Sequence, residues 1–101
     1  MYFVIICHDK PNNEALRQQT RPEHLEYLAG QEAHTKVVGP LLADDGSTPR
    51  GSLLLIEAAD LAEAERIAKH DPYNKAGLFE KVTIMPFRPV VGDWIPAKTH
   101  A

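Results

Sequence analysis

His24 and Asp71 are the two side chains in this sequence best suited to chemistry, and each lies in a segment that fixes it. An imidazole can take or give a proton near neutral pH, and a carboxylate beside it can hold its tautomer and meet the charge it gains. His24 lies in Thr20-Arg21-Pro22-Glu23-His24-Leu25-Glu26-Tyr27-Leu28. Thr20 and Glu23 have capping-box spacing, and Pro22 falls where a first helical turn tolerates a missing N–H, so a helix is predicted to open at Thr20. His24 then sits in or just beyond that turn, where the positive helix end keeps the ring neutral and ready to accept a proton. Asp71 lies in His70-Asp71-Pro72-Tyr73, where the proline pushes it out of the helical region and ends a second helix. An acid just past a helix C-terminus suits the macrodipole poorly and calls for a partner such as an imidazole or a basic side chain. The plainer alternatives are an inert hydrogen-bonded histidine and a turn-forming Asp-Pro.

Four further residues extend the pattern. Arg17 and Arg21 are four apart, and on one helical face their guanidiniums would suit a carboxylate or phenolate; pairing with Glu14 or Glu23 is the competing reading. Ser52 follows Gly51 at a strand start, where its hydroxyl can line a cleft or satisfy the strand end. Tyr73 can serve as an aromatic wall, a phenolic donor or an ordinary half-buried tyrosine. Cys7 is the single cysteine, set in an apolar run, and reads as a small buried hydrophobe. None of the five histidines is paired at i, i+4, and no cysteine cluster accompanies them, so no metal site is expected beyond a weak His8-Asp9 pair. Phosphate-cradling glycine loops, GxSxG and a dinucleotide fingerprint are lacking, so no nucleotide cofactor is expected.

The elements that must position these groups follow from periodicity. Residues 2–7 are continuously apolar and read as a buried strand stopping at His8-Asp9-Lys10-Pro11. Asn13 to Gln19 reads as a short helix leading into the capped one, which runs to about Ala33. Thr35 to Leu42 is a strand whose Gly39-Pro40 predicts a bulge or a sheet edge, and Gly51 to Ile56 is a third strand. Asp60 and Glu63 repeat the capping-box spacing ahead of the apolar stripe Leu61, Ala64, Ile67 and Ala68. Lys75 to Phe79 reads as one more helical turn, and Val82, Ile84 and Phe87 mark a fourth strand. From Pro89 onward the chain is expected to be extended, anchored by Trp94. The order is β-α-β-β-α-β, a ferredoxin-like α+β arrangement with two helices on one face of a four-stranded antiparallel sheet. Two strands apolar on both faces need a cover for the second face, and a second copy packed through the sheets is the predicted partner.

Composition sets the outer bounds. The 101 residues make one domain, with its core at about 2–88 and a tail at 89–101. A net charge of −3 and seven aromatics scattered among acids argue against nucleic acid as a partner. The N-terminal run lacks a basic leader region, and no stretch approaches the roughly 20 apolar residues of a membrane span. A cytoplasmic protein is the expectation.

Taken together, Arg17, the Arg21–Leu28 segment, Gly39-Pro40-Leu41, Gly51-Ser52 and Asp71-Pro72-Tyr73 with Ala76-Gly77-Leu78-Phe79 resemble the YciI-like family. The likeness runs from Tyr2 to about Phe87 and rests on the order and spacing of these motifs. It implies a ferredoxin-like subunit in a dimeric α/β barrel, with a His–Asp pair in a cleft that maps onto His24 and Asp71. One related activity is dehydrochlorination of a chlorinated hydroxyhydroquinone; the wider superfamily includes muconolactone isomerases and cofactor-free monooxygenases. The chain thus reads as a small cofactor-independent enzyme moving a proton, by elimination or isomerisation, on an anionic or phenolic metabolite. His24 and Asp71 would be catalytic, with Arg17, Arg21, Ser52 and Tyr73 at the substrate. A non-catalytic binding module using the same cleft is the alternative.

Overall fold

Alternate residues of the first strand face different surroundings. In the computed structural model, which describes residues 1–94, β1 (Tyr2–Asp9) buries Phe3, Ile5 and Cys7 while Tyr2, Val4 and Ile6 stay half-buried. β3 (Pro49–Glu57) does the same with Ser52, Leu54 and Ile56 against Leu53 and Leu55. These strands are central in a four-stranded sheet of order β2-β3-β1-β4, with β2 (Thr35–Leu42) and β4 (Phe79–Phe87) at the edges. Every neighbouring pair is antiparallel. One face carries the core, where Phe3, Ile5, Leu54 and Ile56 meet Ala64, Ile67 and Ala68. The fold is the expected ferredoxin-like β-α-β-β-α-β.

Gly39 and Pro40 lie on an edge strand as expected, but the irregularities of β2 fall at Thr35/Val37 and Leu41/Leu42 instead. Asp60 caps α2 (Leu61–His70) by accepting from the Glu63 N–H at 2.9 Å, while the Glu63 carboxylate accepts from the Ala59 N–H at 2.8 Å. Both groups of the anticipated box are therefore used, with the return bond one residue earlier.

The first helix corrects the sequence reading. α1 (Glu14–Gly30) is one continuous helix of 17 residues with Pro22 inside it, not a short helix followed by one capped at Thr20. Thr20 is buried on the same face as Arg17 and His24, so its side chain looks inward instead of capping. Pro22 is exposed, which leaves the Gln18 carbonyl it cannot satisfy on the solvent side. His24 is thus several turns into the helix, away from its positive end, and the expected dipole effect on its ring falls away. The last short helix also moves. α3 (Pro72–Lys75) begins immediately after Asp71, not at Lys75.

Among the described residues no helix is long and apolar enough to cross a membrane. Trp94 was expected as an anchor but is 83% exposed, and the tail bends at Val91 and Gly92. The part of the tail from residue 95 onward, with Pro96, lies outside the described residues.

Candidate functional site

The inward face of α1 is polar where packing alone would ask for leucine. Arg17, Thr20 and His24 recur at i, i+3 and i+7 on one side of the helix, and all three are buried. Buried charges and rings need partners, and loops at the strand and helix ends supply them. His24 Nδ1 lies 2.8 Å from Asp71 Oδ1, with the two residues 5% and 2% exposed. An ionised carboxylate only accepts, so His24 donates through Nδ1 and its Nε2 is left as the acceptor. No protein group among the described residues bonds Nε2, and His24 lines an open cleft.

The same Asp71 oxygen accepts the Tyr73 N–H at 3.0 Å, capping α3. This resolves the electrostatic mismatch noted for Asp71. It ends α2, begins α3, and meets an imidazole. Tyr73 is brought alongside as a result. Its ring stacks on His24 with centroids 3.9 Å apart and planes 16° from parallel. The Arg17 guanidinium lies over the Tyr73 ring at 4.5 Å from its centroid. Arg17 and His24 are about 10.5 Å apart along the helix axis, and the Tyr73 ring fills the gap between them.

Arg17 is held by a residue that the sequence reading assigned only to a weak metal pair. Asp9, at the end of β1, accepts from Arg17 Nε at 2.7 Å and Nη2 at 2.9 Å. Both carboxylate oxygens are engaged by the guanidinium, and His8 beside it is exposed. The Glu14 or Glu23 pairing weighed for Arg17 is replaced by this one. Nothing in the spacing of Asp9 and Arg17 announces it, because the contact depends on where β1 ends against α1. Nη2 also donates to Ser52 Oγ at 2.9 Å. Burial opposes the Arg17 charge, but the hydrogen bonds and field of Asp9 outweigh it and raise the Arg17 pKa. Burial likewise raises the Tyr73 pKa against the opposing pull of Arg17 and Arg21, so it is a neutral phenol at ordinary pH. Cys7, opposite Ser52 in the β1–β3 register, is pushed up to about 12, chiefly by burial, and is an un-ionised thiol.

These groups surround a cleft of about 440 Å³ between α1 and the β2–β3 edge. Arg17, Arg21, His24, Ser52 and Tyr73 line it, and Asp71 stands behind His24. All six residues singled out from sequence therefore converge on one place. Arg21 is exposed and has no ion pair among the described residues. Leu25, Leu28, Val38 and Pro40 give the cleft apolar walls. No group of three His, Cys, Asp or Glu side chains placed to hold a metal occurs among the described residues.

The likeness to known proteins runs along most of the chain. A family model for the YCII-related domain matches residues 1–88. Protein YciI of Escherichia coli O6:H1 is 34% identical over 97 residues, covering 89% of this chain and 99% of that one. An uncharacterized protein of Haemophilus influenzae is 33% identical over the same shares. Among solved structures, the 5-chloro-2-hydroxyhydroquinone dehydrochlorinase TftG from Burkholderia phenoliruptrix, in complex with 2,5-dihydroxybenzoquinone, superposes with a TM-score of 0.79. It is 32% identical, and the match covers 86% of this chain and 93% of that one. An antibiotic biosynthesis monooxygenase shares the fold alone, with a TM-score of 0.52, 16% identity, and coverage of 88% of this chain and 100% of that one. With its family model spanning nearly the whole described chain and relatives matched over almost their full length, this chain belongs to the YCII-related family.

Proposed function

We propose that this chain is a small enzyme that moves a proton, without a cofactor, on a cyclic phenolic or anionic metabolite. The observation that carries the reading is the buried His24–Asp71 bond of 2.8 Å, which leaves Nε2 as a free acceptor on the cleft. Nε2 takes a proton from a ring carbon or hydroxyl, and the electron pair moves into the ring. In an elimination that pair expels a leaving group; in an isomerisation the proton returns at another carbon. Asp71 holds the tautomer and faces the imidazolium that forms. Arg21, with no ion pair among the described residues, meets an anionic group of the ligand, while Arg17 and Ser52 line the floor and Tyr73 presents its ring edge. The dehydrochlorinase named above makes a chlorinated hydroxyhydroquinone the first compound to try. The test is turnover of chlorinated hydroxyhydroquinones and enol lactones by the wild-type protein and by His24→Gln. Turnover lost with ligand binding kept supports the reading. Undiminished turnover in the variant sinks the mechanism, and wild-type binding without turnover of any of them would make the cleft a binding module.

The open sheet face is assigned to a second copy of the chain. Val4, Ile6, Leu53 and Leu55 sit half-buried there, beside Met85 and Phe87 at 44% and 46% exposed. The antiparallel register puts all six on the side away from the helices. A contiguous apolar sheet face on a chain of this size calls for cover. Sedimentation at micromolar concentration is expected to give twice the chain mass for wild type and a single mass for Leu55→Glu. A monomeric wild type would remove the assignment.

A further inference from the structure

Ser52 has a hydroxyl proton that no group among the described residues accepts. The residue is 2% exposed, lies opposite Cys7 on β3, and its Oγ accepts 2.9 Å from Arg17 Nη2. A guanidinium has donors and no acceptor, so the Ser52 hydroxyl cannot return its proton to Arg17. Among the described residues no other group accepts it, and Ser52 lines the cleft that His24 also lines. The cation behind the hydroxyl strengthens it as a donor, because a hydrogen bond received by an oxygen polarises the bond it gives. Asp9 completes the arrangement. By taking Nε and Nη2 of Arg17 it keeps that guanidinium in place and offsets its charge, so on this side of the cleft the bound molecule meets the serine hydroxyl and not the Arg17 charge.

We propose that Ser52 is the oxyanion donor of this site, its O–H aimed at the ligand oxygen that gains charge when a proton is removed, with Arg17 and Asp9 as positioning residues behind it. The proposal rests on the reading of His24 as the proton acceptor, and it deepens that reading into a substrate class. The bond to the departing proton breaks, the proton goes to His24 Nε2, and the pair is delocalised onto a conjugated oxygen that Ser52 meets. No oxidant or reductant enters. A site that sets the His24 acceptor and the polarised Ser52 donor among apolar walls, with Arg21 exposed beside them, selects planar rings in which an acidic C–H or O–H is conjugated with a carbonyl or phenolic oxygen. Hydroxyquinones, phenols and enol lactones fit; saturated sugars and amines do not.

The probe is 4-nitrophenol, whose anion and neutral form absorb differently, with 4-nitroanisole as a neutral analogue. Wild type is expected to bind the phenolate in preference to the neutral forms. Ser52→Ala should weaken phenolate binding about tenfold to a hundredfold, the range of a hydrogen bond to a charged group, and leave 4-nitroanisole unchanged. His24→Gln should keep the phenolate preference even if it loses turnover, or if His24 proves to move no proton, so failure of the two readings can be told apart. No phenolate preference in wild type, or an unaltered preference in Ser52→Ala, overturns the proposal. Should Ser52→Ala not fold, the wild-type complex decides. A hydroxyl proton signal downfield of the amides supports the donor, and its absence overturns it.

Discussion

Replacing His24 with glutamine is expected to cut turnover by about 10²–10⁴-fold, the usual contribution of a positioned acid–base group. Glutamine keeps polar bulk against Tyr73 but cannot cycle a proton at the position of Nε2. The Asp71 substitutions separate the two tasks given to the carboxylate. Oδ1 accepts both the His24 Nδ1–H and the Tyr73 N–H, at 2.8 and 3.0 Å. An asparagine oxygen in that place keeps both bonds, so Asp71→Asn removes the charge and preserves the tautomer and the α3 cap. Its cost is the difference between a charged and a neutral acceptor, roughly tenfold in turnover. Asp71→Ala loses charge, orientation and cap together. Its activity should fall nearly as far as that of His24→Gln, with about 1 kcal/mol of stability lost with the cap. The measurements are kcat for the three variants and the ¹⁵N shifts of the His24 ring, which report the tautomer. Equal losses in Asp71→Asn and Asp71→Ala would mean that Asp71 acts through its charge and does not orient the ring.

The parts of this molecule legible in its sequence are those fixed by neighbours in the chain. The strand beginning at Tyr2, the Asp60 cap and the stop at Asp71-Pro72 follow from local propensity and turn chemistry, and each stands close to where the sequence puts it. The start of α1 does not, because Thr20-Pro22-Glu23 imitates a cap while tertiary packing turns Thr20 inward. Local spacing cannot register that choice. The polar stripe Arg17, Thr20, His24 keeps helical spacing straight across the apparent cap, and that spacing is the sequence signal of the continuous helix. Asp9 is a different case. Its engagement with Arg17 spans eight residues across a strand end and a turn, and no motif records it. His24 and Asp71 are legible from chemistry and placement, and the family likeness strengthens both. Arg17 reads from sequence either as an anion-binding guanidinium or as a partner of Glu14 or Glu23, whereas its charge is met by Asp9.

A methyl group added at Gly51 is expected to damage the fold more than one carbon would suggest. A Cβ there would stand 2.1 Å from the Cys7 carbonyl oxygen and 3.2 Å from its carbon, with Leu41 Cδ1 at 3.4 Å. The obstacle is backbone of the adjacent strand, so no rotamer change relieves it. β1 and β3 are paired from Tyr2↔Glu57 through His8↔Gly51, and separating them at one end strains a central ladder. Overpacking a core costs about 1–3 kcal/mol when side chains can adjust, so Gly51→Ala should lie at or above the top of that range. For a domain of this size each kcal/mol lowers Tm by about 4–8 °C, which puts the expected fall at roughly 12 °C or more. Gly39→Ala is the control. A Cβ at Gly39 meets nothing within 4 Å, and the residue lies on edge strand β2, so its Tm should hardly move. Thermal unfolding of both variants decides the matter, and a Gly51→Ala protein as stable as Gly39→Ala would mean that β1 and β3 do not approach this closely. The site is involved as well as the fold. Gly51 precedes Ser52 in β3, and only a residue without a side chain lets that strand come close enough to β1 for Ser52 Oγ to sit 2.9 Å from an arginine that β1 itself holds through Asp9.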